Sequence, residues 1–103
     1  MNILQKLFGG GTTVNLAEVI NDGAYLVDVR TPGEFSMGHV KGSVNIPLDV
    51  IASKTAQLKN KKNIVVFCQS GGRSSAAKSI LEKNGFTNVV NGGSWMNVRG
   101  YVK

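Results

Sequence analysis

At 103 residues the chain can hold one domain with a single modest core and is too short for two. An apolar share of 42% beside 17% charged residues excludes a disordered or low-complexity chain, the one cysteine excludes an intrachain disulfide, and a solitary His39 leaves no metal-ligand spacing. The formal charge of +6 includes Lys54, Lys59, Lys61, Lys62, Lys78 and Lys83, scattered over several segments without interleaved aromatics; this argues for a solvated surface that draws small anions and against a nucleic-acid-binding face.

Residues 1–11 carry Ile3, Leu4, Leu7 and Phe8 at helical spacing and end in Gly9-Gly10-Gly11. The stretch is too short and too weakly apolar for a signal peptide or a membrane span. A short helix packing on the domain, or a tail that is flexible or touches a membrane surface, is expected there, with the domain proper over 12–103. With no signal, a cytoplasmic location is expected, where a free thiol stays reduced.

Asn15 suits the N-cap of a helix with Leu16, Val19 and Ile20 on one face, closing near Asn21-Asp22-Gly23. The apolar run Tyr25–Val29 reads as a strand buried on both faces. Thr31 as cap and Pro32 at the first position predict a short helix. Ser43–Ile46 reads as another strand stopped by Pro47, and Leu48–Leu58 as a helix or a pair of turns. Next, Asn63-Ile-Val-Val-Phe67 forms an apolar β-branched run ending at Cys68; after Gln69-Ser70-Gly71-Gly72, apolar residues at Ala76, Ala77, Ile80 and Leu81 predict a helix ending before Gly85. Thr87–Val90 gives a last strand, followed by Gly92-Gly93 and a turn bearing Trp95. Strands alternating with helices predict an α/β fold whose mostly parallel sheet is covered on both faces.

The order strand, cysteine, glycine-rich loop, helix is the feature with chemical content. A helix N-terminus presents unpaired N–H groups and a partial positive charge, so an anion in such a loop is held without a cationic side chain. Gly71 and Gly72 let the backbone curl with its N–H groups inward. A cysteine facing those donors, with Arg73 close by, is expected to have its pKa pulled down from about 8.5 toward or below neutrality, and the thiolate is the nucleophile. Cys68 has no second cysteine to resolve it, so an oxidised or sulfur-loaded form must be discharged by another molecule. Asp28 and His39 could serve as a general base for Cys68. A thiolate stabilised by the loop needs none, so Asp28 is read as a partner for Arg30 or another cation and His39 as a hydrogen-bonder to loop backbone. Trp95 and Met96 are read as core or pocket wall, with Trp95 near the mouth of the site.

Four segments in order, Leu26–Phe35 (LVDVRTPGEF), Gly38–Pro47 (GHVKGSVNIP), Phe67–Ser74 (FCQSGGRS) and Asn91–Trp95 (NGGSW), resemble the rhodanese domain over roughly Thr12 to the C-terminus. The resemblance implies a rhodanese-like α/β fold with a five-stranded parallel sheet flanked by helices. It also implies thiosulfate sulfurtransferase or related persulfide chemistry. Cys68 matches the catalytic nucleophile, and Gln69, Ser70, Gly71, Gly72, Arg73 and Ser74 follow as the binding loop. Asp28, Arg30, Glu34, His39 and Pro47 match positions that look mainly structural. Four residues separate Cys68 from Arg73, whereas the family's phosphatase relatives have five, which disfavours a phosphatase or arsenate reductase. Gly33 and Lys41-Gly42-Ser43 depart mildly from the family pattern, away from the loop. The implied substrates are a small anionic sulfur donor and a thiol or cyanide acceptor, with a sulfur-relay protein as a further partner; no cofactor, metal or nucleic acid is called for, and a monomer is expected. A partner-specific sulfur carrier or a non-catalytic binding module is the alternative.

Overall fold

The computed structural model describes residues 15–103, so the expected tail or helix at 1–11 lies outside the described residues. The chain forms α1 (Leu16–Asn21), β1 (Tyr25–Asp28), α2 (Pro32–Ser36), β2 (Val44–Asn45), two 3₁₀ turns (Leu48–Ser53 and Thr55–Leu58), β3 (Ile64–Cys68), α3 (Gly72–Lys83), β4 (Val89–Ser94) and α4 (Trp95–Arg99). All strand pairs are parallel and the sheet order is β2-β1-β3-β4. The described residues thus hold four strands where the resemblance implies five, and these four are the ones the sequence marks. No described helix is long and apolar enough to cross a membrane.

The local signals act as their chemistry predicts. Asn15 Oδ1 accepts the Glu18 N–H at 3.1 Å and starts α1. Thr31 Oγ1 accepts the Glu34 N–H while Glu34 Oε1 accepts the Thr31 N–H, a reciprocal capping box that fixes α2 with Pro32 at its first position. The Leu48–Leu58 segment is the pair of turns rather than a helix.

Successive residues of the strands feed two cores. Val27, Val29, Ile64, Val66 and Cys68 face Ala77 and Leu81 of α3 and Ile51 and Leu58 of the 3₁₀ turns. Leu26, Val65 and Phe67 face the other way, onto Leu16, Val19 and Ile20 of α1 and Trp95 and Val98 of α4. Every residue of β3 is buried, which is why it reads as an unbroken apolar run.

The helix marked by Ala76, Ala77, Ile80 and Leu81 is α3; its buried face is Ser74, Ala77 and Leu81, with Ile80 half-buried and Ala76 exposed. A methyl group contributes so little area that an alanine's apolarity says nothing about which way it faces. The last strand, expected over Thr87–Val90 and followed by Gly92-Gly93, instead begins at Val89 and continues through both glycines to Ser94. Val66 pairs with Asn91 and Phe67 with Gly93, leaving Gly92 as the extra residue of a bulge. Gly92 is buried against α4 and β3, and a Cβ there would stand 2.6 Å from Val98 Cγ2 and 2.9 Å from Val65 Cγ1. The glycine is thus a close-approach residue within a strand. The expected turn bearing Trp95 is the start of α4, capped by Ser94, whose side chain accepts the Asn97 N–H at 3.1 Å.

Candidate functional site

Cys68 ends the central strand β3 at the carboxyl edge of the sheet, paired in register with Ser94 of β4. From β1 the chain runs outward to β2 and then returns past β1 to β3. The crevice between β1 and β3 is therefore where the topology switches direction, the place where open α/β sheets leave room for a ligand. Cys68 itself is 1% exposed.

The loop after it wraps around the sulfur. Gly71 takes φ +106°, a conformation other residues rarely adopt, and turns its N–H onto Cys68 Sγ at 3.0 Å. It is also the N-cap of α3, but glycine offers no side chain to cap with. The sulfur takes that part: the Ser74 N–H, in the first turn of this 12-residue helix, points at Sγ at 3.4 Å. The Ser74 hydroxyl lies 3.5 Å from the sulfur, where it accepts the proton of the thiol and, once turned, can donate to the thiolate. Burial is the largest influence on the Cys68 thiol and raises its pKa. The Ser74 hydroxyl and the N–H groups of Ser74, Gly71 and Ser70 act against it and together win, so the pKa lies below the ordinary thiol value of 9.0. Gln69 and Ser70 are exposed at the top of the loop.

Arg73 does not bond to the sulfur. Its guanidinium reaches across to α2 and grips Glu34 in a two-pronged pair, Nη1 to Oε1 at 2.7 Å and Nη2 to Oε2 at 3.0 Å. The Arg73 bond, followed by the Thr31 N–H, brings the Glu34 carboxyl down from 4.5 to about 2. In turn Glu34 raises the Arg73 pKa. One carboxylate thus completes the capping box of α2 and ties that helix to the Cys68 loop, a link the sequence reading did not contain. The Thr31-to-Glu34 spacing reveals the capping half, but nothing in the sequence places Glu34 beside Arg73.

Neither candidate base is hydrogen-bonded to the sulfur. Asp28 is buried and bonded by Arg30 through Nε and Nη2 at 2.7–3.0 Å, and Arg30 Nη2 also donates to the Gly38 carbonyl. His39 Nδ1 sits 2.8 Å from the Phe35 carbonyl oxygen and its ring stacks on Phe35. Trp95 packs its ring 4.5 Å from the Arg30 guanidinium carbon, so its observed role is core wall, on the sheet face opposite Cys68. Asn45, not singled out from sequence, donates to the Asp28 and Arg30 carbonyls and holds the end of β1. Asn91, also not singled out as a site residue, accepts the Ser74 hydroxyl at 2.7 Å. Beside the loop, an apolar cleft of about 490 Å³ opens between Pro32, Pro47, Leu48 and Val50; Arg73 forms part of its wall and Cys68 does not. Among the described residues no cluster of three or more His, Cys, Asp or Glu side chains is arranged to hold a metal ion.

A family model for the rhodanese-like domain matches residues 12–97. The chain belongs to the rhodanese family. This rhodanese-like domain is 36% identical over 74 residues to the Escherichia coli thiosulfate sulfurtransferase PspE, covering 70% of the chain and 71% of PspE. It is 40% identical over 68 residues to the Bacillus subtilis protein YqhL, covering 66% of the chain but only 54% of YqhL, so it spans about half of that relative's length. Among solved structures it superposes on an E. coli rhodanese determined with anions, with a TM-score of 0.67, 35% identity, and coverage of 73% of this chain and 91% of the other.

Proposed function

We propose that this rhodanese-like domain is a sulfurtransferase that carries a sulfane sulfur on Cys68 as a persulfide. The observation that carries the reading is the set of donors converging on Cys68 Sγ, namely the Gly71 N–H at 3.0 Å and the Ser74 N–H at 3.4 Å at the start of α3. Such donors stabilise a thiolate and the negative outer sulfur of a persulfide, and they require neither cofactor nor metal. The name of the relative PspE, a thiosulfate sulfurtransferase, supports the same chemistry.

In the first half-reaction the Cys68 thiolate attacks the outer sulfur of thiosulfate. A Cys–S bond forms, the S–S bond of the donor breaks, and sulfite leaves with the electron pair. In the second, cyanide or a thiolate attacks the outer sulfur of the persulfide, the new S–S bond breaks, and the Cys68 thiolate is regenerated. Ser70, Gly71 and Ser74 supply N–H groups to the sulfur; Gln69 and Ser70, exposed above it, meet the incoming donor; Gly72 opens the helix; and Arg73 adds positive potential at the loop. The reaction suits a monomer working in the cytoplasm, where the free thiol stays reduced.

One observation favours a second reading. Arg73 is held by Glu34, so the loop side chain best suited to a doubly charged thiosulfate already has a carboxylate partner. A carrier that takes its sulfur from a partner protein's persulfide needs that cation less. The test measures thiocyanate formation from thiosulfate and cyanide by wild type and Cys68→Ser, with intact mass recorded after treatment with thiosulfate or with a low-molecular-weight persulfide. Thiocyanate together with a Cys68-dependent gain of one sulfur is the expected result. Loading by persulfide but not by thiosulfate selects the carrier, and loading by neither refutes persulfide chemistry.

A further inference from the structure

The Ser74 hydroxyl has one proton, which Asn91 Oδ1 at 2.7 Å and the Gly71 carbonyl at 3.1 Å can accept; Cys68 Sγ at 3.5 Å donates to the hydroxyl as a thiol and would compete for its proton as a thiolate. The Gly71 carbonyl already accepts the Ser75 N–H at 3.0 Å, the first turn of α3. The orientation of the Asn91 amide is fixed by a second bond, because its Oδ1 also accepts the Gly93 N–H at 2.9 Å. Turning the amide over would set its NH₂ against that N–H, so the oxygen must face both groups. While Cys68 is a thiol, Ser74 therefore gives its proton to Asn91 and takes the thiol proton on its lone pair. A thiolate needs a donor instead, which the hydroxyl becomes only by turning away from Asn91.

We propose that Asn91 is a positioning residue that holds the Ser74 hydroxyl proton away from Cys68, so that the hydroxyl turns to the sulfur only by giving up its bond to Asn91. This deepens the persulfide reading and rests on it. When Cys68 is a thiolate, Ser74 must choose between the sulfur and Asn91. When Cys68 carries the outer sulfur, the negative charge moves off Sγ and the hydroxyl returns to Asn91 at no loss. Asn91 thus disfavours the empty thiolate relative to the loaded persulfide, and a less stabilised thiolate is the stronger nucleophile. The bulge at Gly92 brings this about, because it changes the register of β4 immediately after Asn91 and lets the Asn91 side chain and the Gly93 N–H meet.

The charged groups on the elements packed around the sulfur are Arg73 on α3, paired with Glu34 of α2, the Asp28–Arg30 pair at the end of β1, and Asp49 of the first 3₁₀ turn, which lines the cleft with Arg73; α3 also carries Lys78, Glu82 and Lys83, in its second half and away from the loop. β4 contributes none, and His39 is turned to the Phe35 carbonyl. All of them stay in place in the variants used as the test.

The experiment follows iodoacetamide alkylation of the single cysteine against pH in wild type, Asn91→Ala, Asn91→Val, Asn91→Asp, Ser74→Ala and Ser74→Ala/Asn91→Ala, with a melting curve for each. Alkylation needs no sulfur donor or acceptor, so it reads the proton arrangement even if sulfurtransferase activity proves absent. Freed from Asn91, Ser74 donates to the thiolate, and the alkylation midpoint falls by about half a pH unit in Asn91→Ala and Asn91→Val. Asn91→Asp, a stronger competitor and a negative charge, moves it up. In the Ser74→Ala background Asn91→Ala has no effect, the signature of coupling through the hydroxyl. A midpoint that is unchanged or raised in both apolar variants, or a fall that persists without the Ser74 hydroxyl, overturns the proposal.

Discussion

Replacing Ser74 by alanine tests the account of the Cys68 thiolate most directly, because it removes one donor and leaves the others in place. Ser74 is fully buried, and its backbone N–H, which points at the sulfur from 3.4 Å, survives the substitution, as does the Gly71 N–H at 3.0 Å. Only the hydroxyl at 3.5 Å is lost. A hydrogen bond to a charged group contributes about 1.5–3 kcal/mol. At this distance, and with the hydroxyl having to leave Asn91 Oδ1 at 2.7 Å to donate, the net is nearer ~1 kcal/mol, which corresponds to roughly 0.7 pH unit. The midpoint of iodoacetamide alkylation should therefore rise by about half to one pH unit, and the thiolate fraction near neutral pH should drop about three- to tenfold. Sulfur loading from thiosulfate at pH 7 should slow too, by less than that factor, because the less stabilised thiolate is the stronger nucleophile. The direction is set by sign: the fold lowers the thiol pKa, the hydroxyl is one of the groups lowering it, and burial, which raises it, is unchanged. A midpoint that stayed put would assign the whole lowering to the backbone N–H groups, and one that fell would refute the role given to the hydroxyl.

Glu34→Gln should release Arg73 and lower the KM for thiosulfate about two- to fivefold, the scale of an exposed ion pair, in a steady-state assay; an unchanged KM would mean that Arg73 does not meet the donor. The same variant tests the acid limit of the fold. The Glu34 carboxyl titrates at about 2 in the fold against 4.5 ordinarily, so its contribution is complete above 4.5 and is lost as pH falls from 4.5 toward 2. Melting temperatures taken from pH 7 to pH 2 should drop through that window in wild type and drop less in Glu34→Gln. Gly92→Ala drives a methyl group into Val98 and Val65 and should cost about 1–3 kcal/mol, a fall of about 5–20 °C in melting temperature. Adding Val98→Ala should recover part of it; no recovery would place the strain in the bulge backbone instead.

Much of this protein is determined by short-range signals that the sequence carries openly. Asn15, Thr31 with Glu34, and Pro32 start helices through bonds that close within one turn, and β3 is legible because a strand covered on both faces must be apolar at every position. The loop from Cys68 to Ser74 is legible for the same reason: a strand end, two glycines and a helix start lie within eight residues, and backbone geometry alone brings the N–H groups onto the sulfur. What the tertiary structure decided are the contacts between segments far apart in the chain. Arg73 could have faced the sulfur or solvent, and its capture by Glu34, 39 positions earlier, depends on how α2 sits over the loop. Asn91 reads as one polar residue before two glycines. Its bond to Ser74 accompanies a bulge at Gly92, where Val65 and Val98 leave no room for a Cβ, a close approach that no periodicity records. Local hydrogen-bond and burial rules have a period and a direction along the chain, and so they can be read from it; the meeting of side chains from different elements is set by packing, which only the folded chain defines.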